Sequence, residues 1–126
     1  MPALVTPFTE SGDLDLESHT FNLEALAAQG VGGFLIAGST GEGPYLEPGE
    51  RRLLMDAART TLGEAAYLLG GVTGESVRQA MTHIHEHVAG GADAVLFDQL
   101  TDLETAQAVT ISRNTFCQDP AQDRQL

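Results

Sequence analysis

Gln29-Gly30-Val31-Gly32-Gly33-Phe34-Leu35-Ile36 and Gly90-Gly91-Ala92-Asp93-Ala94-Val95-Leu96-Phe97 are two versions of one passage, a glycine stop that runs directly into an apolar strand. A short helix-to-strand connection asks for that order, because glycine ends a helix where other residues would be strained. Working outward, four apolar runs stand out: Ala3–Thr6, Gly33–Ala37, Ala66–Val72 and Ala92–Phe97. Their starts lie roughly 30 residues apart, the length of one strand plus a crossover helix in a parallel α/β fold. The runs are continuous rather than alternating, as expected of strands buried on both faces.

The intervening segments read as helices. Asp15 can cap a helix running to Gln29, with Leu16, Leu23, Leu26 and Ala27 on one face and Gly30 as its stop. Pro48 suits a first helical position with Glu50 in the same turn, and Leu53, Leu54, Ala57, Ala58 and Leu62 then recur at helical spacing. Glu75 and Ser76 open a third helix with Val77, Met81, Ile84 and Val88 as its inner stripe. The reading up to residue 97 is therefore β-α-β-α-β-α-β, an α/β fold with four parallel strands. From Asp98 to Leu126 the chain is polar and rich in Gln, Asp and Thr, a tail separate from 1–97. Leu103, Ala106 and Val109–Thr110 suggest one helix over Asp102–Ile111, and residues from Asp119 onward read as frayed.

Composition limits the partners. The chain has 126 residues, 18 acidic against 6 basic, for a net charge of −12. Every basic residue is an arginine (Arg51, Arg52, Arg59, Arg78, Arg113 and Arg124), so there is no lysine side chain from which to build a Schiff base. The acidity opposes nucleic acid or an anionic membrane as partner. An acidic surface without lysine would also suit a salt-rich setting. With 42% hydrophobic residues there is enough apolar material for a core. No apolar stretch approaches the ~18 residues of a membrane span, and Met1–Thr6 shows no basic start of a secretory signal. The single Cys117 has no internal disulfide partner and reads as incidental. A cytoplasmic protein is expected.

The richest local signal is Gly38-Ser39-Thr40-Gly41-Glu42-Gly43-Pro44, directly after the second apolar run. In a parallel sheet this is the carboxyl end of a strand, where ligands bind. Three glycines let backbone N–H groups approach a ligand, and two hydroxyls can donate to a carboxylate or phosphate oxygen. A tight turn requiring positive φ explains the glycines equally well. A nucleotide loop fits poorly: the Gly-Lys-Ser/Thr and Gly-x-Gly-x-x-Gly spacings are both missing, and only Arg51 and Arg52 are near in sequence. Those two arginines are expected to pair with Glu47 or Glu50 on a helix surface. His83, His85 and His87 invite a zinc reading, but only His83 and His87 share a helix face and no glutamate takes the H-E-x-x-H position; a solvated face without metal is expected.

In combination these motifs resemble a known family. Ala3-Leu4-Val5-Thr6-Pro7-Phe8, then Gly12-Asp13-Leu14-Asp15, then Gly38-Ser39-Thr40-Gly41-Glu42, Leu68-Leu69-Gly70-Gly71-Val72 and Gly91-Ala92-Asp93-Ala94-Val95-Leu96 are similar, in order and spacing, to the dihydrodipicolinate synthase / N-acetylneuraminate lyase family. The Gly-Ser-Thr-Gly-Glu variant is closer to the sialate lyase and 2-keto-3-deoxy sugar acid aldolase branches. The resemblance implies a Schiff-base aldolase or dehydratase on a (β/α)8 TIM barrel, usually a homotetramer, with no metal or organic cofactor. It implies that Ser39, Thr40 and Gly41 hold the carboxylate of pyruvate or another small 2-keto acid. Thr40 would also have a catalytic part, joining a proton relay to a tyrosine, and Glu42 would be a structural hydrogen-bond anchor.

The departures from that family are equally specific. Its tyrosine follows strand five and its lysine lies on strand six, beyond the last residue of this sequence, and Tyr45 and Tyr67 do not match the tyrosine positions. Where the family shows a Thr-Pro-Tyr-Tyr-like segment, this chain has Phe97-Asp98-Gln99-Leu100-Thr101-Asp102. A full barrel needs about 250 residues. The expectation is a partial (β/α)8 barrel with about four parallel strands and three to four helices, holding a carboxylate cradle without its nucleophile. Two outcomes follow: a truncated keto-acid lyase that is inactive alone, or a non-catalytic half-barrel or carboxylate-binding module whose exposed edges, strands one and four, make a homo-oligomer.

Overall fold

Asp15 opens the first helix as its sequence position suggests: its carboxylate accepts from the Ser18 amide at 3.0 Å and the Ser18 hydroxyl at 2.7 Å. Those bonds, the backbone one foremost, hold the Asp15 carboxyl below the usual carboxylate range. The computed structural model describes residues 1–72, 76–97 and 109–112. Its elements are α1 (Leu16–Ala28), β1 (Gly33–Ile36), α2 (Glu50–Leu62), β2 (Tyr67–Val72), α3 (Val77–Gly90), β3 (Ala94–Phe97) and β4 (Val109–Ser112), with a short 3-10 turn at Gly43–Tyr45. Helix α2 starts at Glu50 behind Gly49, which takes φ 88°, so Pro48 precedes the helix rather than opening it. Helix α3 is capped by the Ser76 hydroxyl, which accepts from the Gln79 amide, and ends at Gly91 with φ 101°.

The sheet order is β1-β2-β3-β4, with β1, β2 and β3 parallel. Gly33 pairs with Tyr67 and Ile36 with Gly70; Leu69 pairs with Ala94 and Val72 with Phe97. The run Ala3–Thr6, expected as the first strand, forms one parallel bridge from Ala3 to Leu35, with Leu4 N–H donating to Leu35 O and Leu35 N–H to Pro2 O, both at 2.9 Å. Pro2 and Pro7 bound this segment; neither can donate, which limits how far a ladder extends.

The tail departs from expectation. Val109–Ser112 is a strand antiparallel to β3, with Phe97 opposite Val109 and Ala94 opposite Ser112, not the end of a helix over Asp102–Ile111. Val109, Thr110 and Ile111 include three β-branched side chains in a row, and β3 offers an edge of unpaired backbone groups. The edge of the fourth predicted strand is therefore covered. Residues 102–108 of that expected helix, Cys117, Glu75 and the stretch from Asp119 lie outside the described residues.

All three helices pack on one face of the sheet. Phe34, Ile36 and Leu68 join Leu23 of α1 and Leu54, Met55 and Ala58 of α2 in one core; Val72 and Val95 meet Ala80 and Ile84 of α3 in a second. Each of the larger side chains withdrawn from water contributes about 2 kcal/mol of apolar burial, and each alanine about 1 kcal/mol or less. By the pleat, Leu35, Leu69 and Leu96 point to the opposite face.

A polar clasp holds the amino-terminal ends of the strands. Arg59 of α2 donates to Gly91 O (3.0 and 2.8 Å), Gly63 O (2.8 Å) and Ala66 O (3.0 Å), and pairs with Asp93 at 2.7 Å. The same Asp93 oxygen accepts the Leu68 amide at 2.8 Å. One guanidinium thus joins α2 to the connections entering β2 and β3. Replacing it leaves several part-buried carbonyls and a carboxylate without their donor, so Arg59→Met is expected to lose about 2–3 kcal/mol. Asp93→Asn, which keeps an acceptor for Leu68, is expected to lose less. Urea midpoints of the two variants against the parent check the order.

Candidate functional site

The loop after β1 is shaped by backbone against backbone. Ala37, the residue before it, takes the left-handed φ of 59°, a conformation that costs a non-glycine residue about 1 kcal/mol. A Cβ on Gly71 of β2 would come within 2.6 Å of Ala37 O and Gly38 Cα; one on Gly43 would run into Ala37 O. A Cβ on Gly41 would meet Leu4 O at 2.8 Å and the Thr6 hydroxyl at 3.1 Å. These glycines are present because two segments of main chain meet there.

Hydrogen bonds then close the loop on itself. Gly43 N–H donates to Gly38 O at 3.0 Å and Glu42 N–H to Ser39 O at 3.1 Å. The Thr6 hydroxyl donates to Gly41 O from below, and the Arg51 guanidinium donates to Gly43 O from the side. Ser39 and Thr40 are left exposed on the top. With Ala3, Leu35, Gly38, Gly71, Val72 and Leu96 they line a hollow of about 140 Å³ at the carboxyl ends of the parallel strands. Its walls are apolar, its two hydroxyls can donate, and among the described residues no cationic side chain lines it. Such a hollow can orient a small carboxylate without neutralising it.

The structure brings Ser39 and Thr40 together in the hollow, whereas Gly41 is buried and is not among the described residues that line it. Glu42 is not an anchor: it is exposed at φ 57°, and its carboxylate has no hydrogen bond among the described residues. Arg51 does not lie on the helix surface with Glu47 or Glu50. It is 2% exposed, bonded to Gly43 O and 3.9 Å from Glu86, while Glu50 instead accepts the Glu47 amide at 2.6 Å. Burial pulls the Arg51 pKa down from its ordinary value, with Glu86 and Glu50 opposing. Arg52 is exposed.

The histidines are likewise not a solvated face. His83 and His87 are buried and only His85 is exposed, because α3 lies against the sheet with that side inward. Among the described residues no three His, Cys, Asp or Glu side chains converge as metal ligands. His87 donates from Nε2 to Gly71 O at 2.9 Å, and since a carbonyl can only accept, the proton is on Nε2 and the buried Nδ1 is left without a partner. Its ring fills the space above Gly70 that a side chain there would need. The sequence pattern marks Thr6 and Gly71 only as parts of longer motifs and reads Arg51 and His87 as solvated. The adjacent glycines Gly70-Gly71 inside a strand were the available signal, since glycine in a strand marks a close approach.

A parallel α/β unit with a glycine- and hydroxyl-bearing loop at its carboxyl edge defines the class of the protein, and comparison defines the family. Residues 1–97 match the Dihydrodipicolinate synthetase family, and the chain belongs to it. It is 37% identical over 94 residues to a 4-hydroxy-tetrahydrodipicolinate synthase of Synechococcus sp. (strain CC9902), covering 75% of this chain and 31% of that protein. A dihydrodipicolinate synthase family protein from Coccidioides immitis superposes with a TM-score of 0.72 at 33% identity, over 75% of this chain and 32% of that one. A structure described as the first monomeric dihydrodipicolinate synthase variant superposes with the same score, 0.72, at 27% identity, over 79% of this chain and 33% of that one. The chain thus spans about a third of the length of the relatives it matches, and its fold is a partial (β/α)8 barrel. The curated relatives it matches carry the synthase name, so the comparisons do not place the chain in the lyase and aldolase branches expected from Ser39.

Burial pushes the His87 pKa down to about 4, with nearby Arg51 and His83 adding to it against the bond to Gly71. Between that value and the ordinary 6.5 the unfolded chain binds a proton that the folded chain does not, so stability rises with pH across this window and is lost as pH falls through it. The gap sets a ceiling of about 3 kcal/mol on the effect. Urea unfolding at a series of pH values from 7 to about 4 checks this. His87→Gln is expected to be less stable at neutral pH and to lose less than the parent on acidification; an identical slope would show that His87 does not carry the effect.

Proposed function

We propose that the Ser39–Thr40 hollow binds the carboxylate of a small 2-keto acid such as pyruvate. In this reading the two hydroxyls and the backbone around Gly41 hold the carboxylate, leaving the ketone directed toward the open side of the sheet. What supports it is the pairing of two exposed hydroxyls with apolar walls, and no cation among the described residues, in a space of about 140 Å³. A carboxylate with a short apolar tail matches that lining; a phosphate, carrying more charge, would ask for a cation. The 2-keto acid class is common to the synthase, lyase and aldolase branches, so it does not depend on which branch the loop resembles.

In a complete enzyme of this type Thr40 would pass a proton to a tyrosine and a lysine would form the Schiff base, making the chemistry carbon–carbon bond formation or cleavage without metal or organic cofactor. This chain has no lysine, so by itself it would bind without reacting. The working division is 1–97 as the barrel portion and 98–126 as a polar tail, in a cytoplasmic protein. A second reading, a carboxylate-binding module that self-associates, is favoured by Ala3 and Val5, which are exposed on a sheet edge that nothing among the described residues covers.

Titrating pyruvate into the ¹⁵N-labelled chain tests the first reading. Shifts are expected at Ser39, Thr40 and Gly41, and Ser39→Ala and Thr40→Val are each expected to weaken binding by about tenfold, the loss of one hydrogen bond to a charged group. Shifts elsewhere, or none, would reject the hollow. Borohydride reduction with pyruvate is expected to leave the mass unchanged; a covalent adduct would reject the account of the chemistry. For the second reading, sedimentation over a range of concentrations is expected to show reversible self-association, and a monomer throughout would dismiss it.

A further inference from the structure

Gly43 closes the hydroxyl-bearing loop: its N–H returns to Gly38 O at 3.0 Å, while its carbonyl accepts from Arg51 Nη2. Arg51 comes from the first turn of α2, a position that normally faces water, yet it is 2% exposed. A buried guanidinium needs partners, and here it has few. Among the described residues Gly43 O is its one hydrogen-bond acceptor, and its Nε has none. Glu86 of α3 lies 3.9 Å from Nη1, an ionic contact beyond hydrogen-bond reach, and the other Glu86 oxygen is occupied by the Gly49 amide at 2.5 Å. The loop, the cap of α2 and the middle of α3 therefore meet at one cation.

Packing alone does not account for this choice. Apolar side chains of similar volume fill such a helix–helix position as well as a buried ion pair, or better. What they cannot do is hold a carbonyl. Among the described residues the loop has two side-chain donors to its backbone, Thr6 at Gly41 and Arg51 at Gly43, and both act within three residues of the Ser39–Thr40 pair.

We propose that Arg51 is a positioning residue for the hydroxyl pair: by holding the Gly43 carbonyl, with Glu86 as its counter-charge, it fixes the closing end of the Gly38–Gly43 loop and so the direction in which Ser39 and Thr40 meet a ligand. The proposal rests on the reading of this loop as a carboxylate cradle. It assigns the α2–α3 interface a task in binding, carried by a residue that does not touch the ligand.

Amide hydrogen exchange on the ¹⁵N-labelled full chain separates this task from plain stabilisation. The reporters are Glu42 N–H and Gly43 N–H, which close the loop; the references are Tyr67 N–H (to Gly32 O) and Asp93 N–H (to Leu68 O), both 2.8 Å bonds at the far end of the sheet. Arg51→Met is expected to speed exchange at the two reporters by about tenfold with the references unchanged, and to weaken pyruvate binding by about tenfold. Equal acceleration at reporters and references would mean that Arg51 only stabilises the fold, and would overturn the proposal. So would unchanged reporters, or pyruvate binding equal to the parent. If Arg51→Met does not fold, Glu86→Gln decides: it keeps an acceptor for Gly49 and removes the counter-charge, and it is expected to accelerate the same two amides less strongly. No change there overturns the proposal. If the parent chain itself fails to bind pyruvate, the cradle reading falls, and the exchange pattern still decides whether Arg51 positions the loop.

Discussion

Main chain touches main chain where Gly71 of β2 and Gly43 of the loop close on Ala37 and Gly38, and a single methyl group at either glycine would force them apart. Much of the site depends on that approach. It allows β2 to lie against the start of the loop, lets Gly43 return a hydrogen bond to Gly38, and holds Ala37 in a left-handed conformation that an isolated chain would avoid. With the backbone packed this tightly, Ser39 and Thr40 have one place left to go, the open face above the carboxyl ends of the strands.

Beneath the approach the chain places polar groups that a core usually excludes. His87, His19 and Arg51 are all buried, and each directs a nitrogen at a backbone carbonyl: Gly71, Leu54 and Gly43 respectively. Burial is the leading cause that lowers the pKa of each. For the histidines the consequence is a neutral ring at physiological pH that serves as a shaped hydrogen-bond donor. For Arg51, which stays charged, it is a need for Glu86. At the opposite end of the sheet Arg59 and Asp93 make a comparable knot between the strand entrances. The described part of the fold is thus tied by side-chain-to-backbone bonds at both ends of its parallel strands, around an apolar middle formed by Phe34, Ile36, Leu68 and Val95.

How much of this was legible follows from the range of the forces involved. Glycine stops before β1 and β3 and the Asp15 and Ser76 caps are local signals that appear where the sequence places them, and the apolar stripes of the helices hold except at Leu53 of α2 and Val77 of α3, which are exposed. The loop was legible for the same reason, since its glycines and hydroxyls are consecutive. The roles of Arg51, His83 and His87 were not. Their surroundings are made by α3 folding against α2 and β2, and an arginine beside glutamates reads as surface until another element covers it. The strand at Val109–Ser112 was misread as the end of a helix because its partner, β3, lies well back along the chain and supplies the hydrogen bonds that decide the conformation.

The sequence by itself determined the strand–helix rhythm, the carboxyl-end placement of Gly38–Gly43, the family and the absence of a lysine side chain, because these rest on residue identity and short-range spacing. Tertiary structure alone decided which glycines meet backbone, that the Glu42 carboxylate has no hydrogen bond among the described residues, and that a guanidinium from α2 reaches the closing carbonyl of the loop. Those outcomes depend on how distant segments share space, and a linear pattern of side chains does not encode the distances between them.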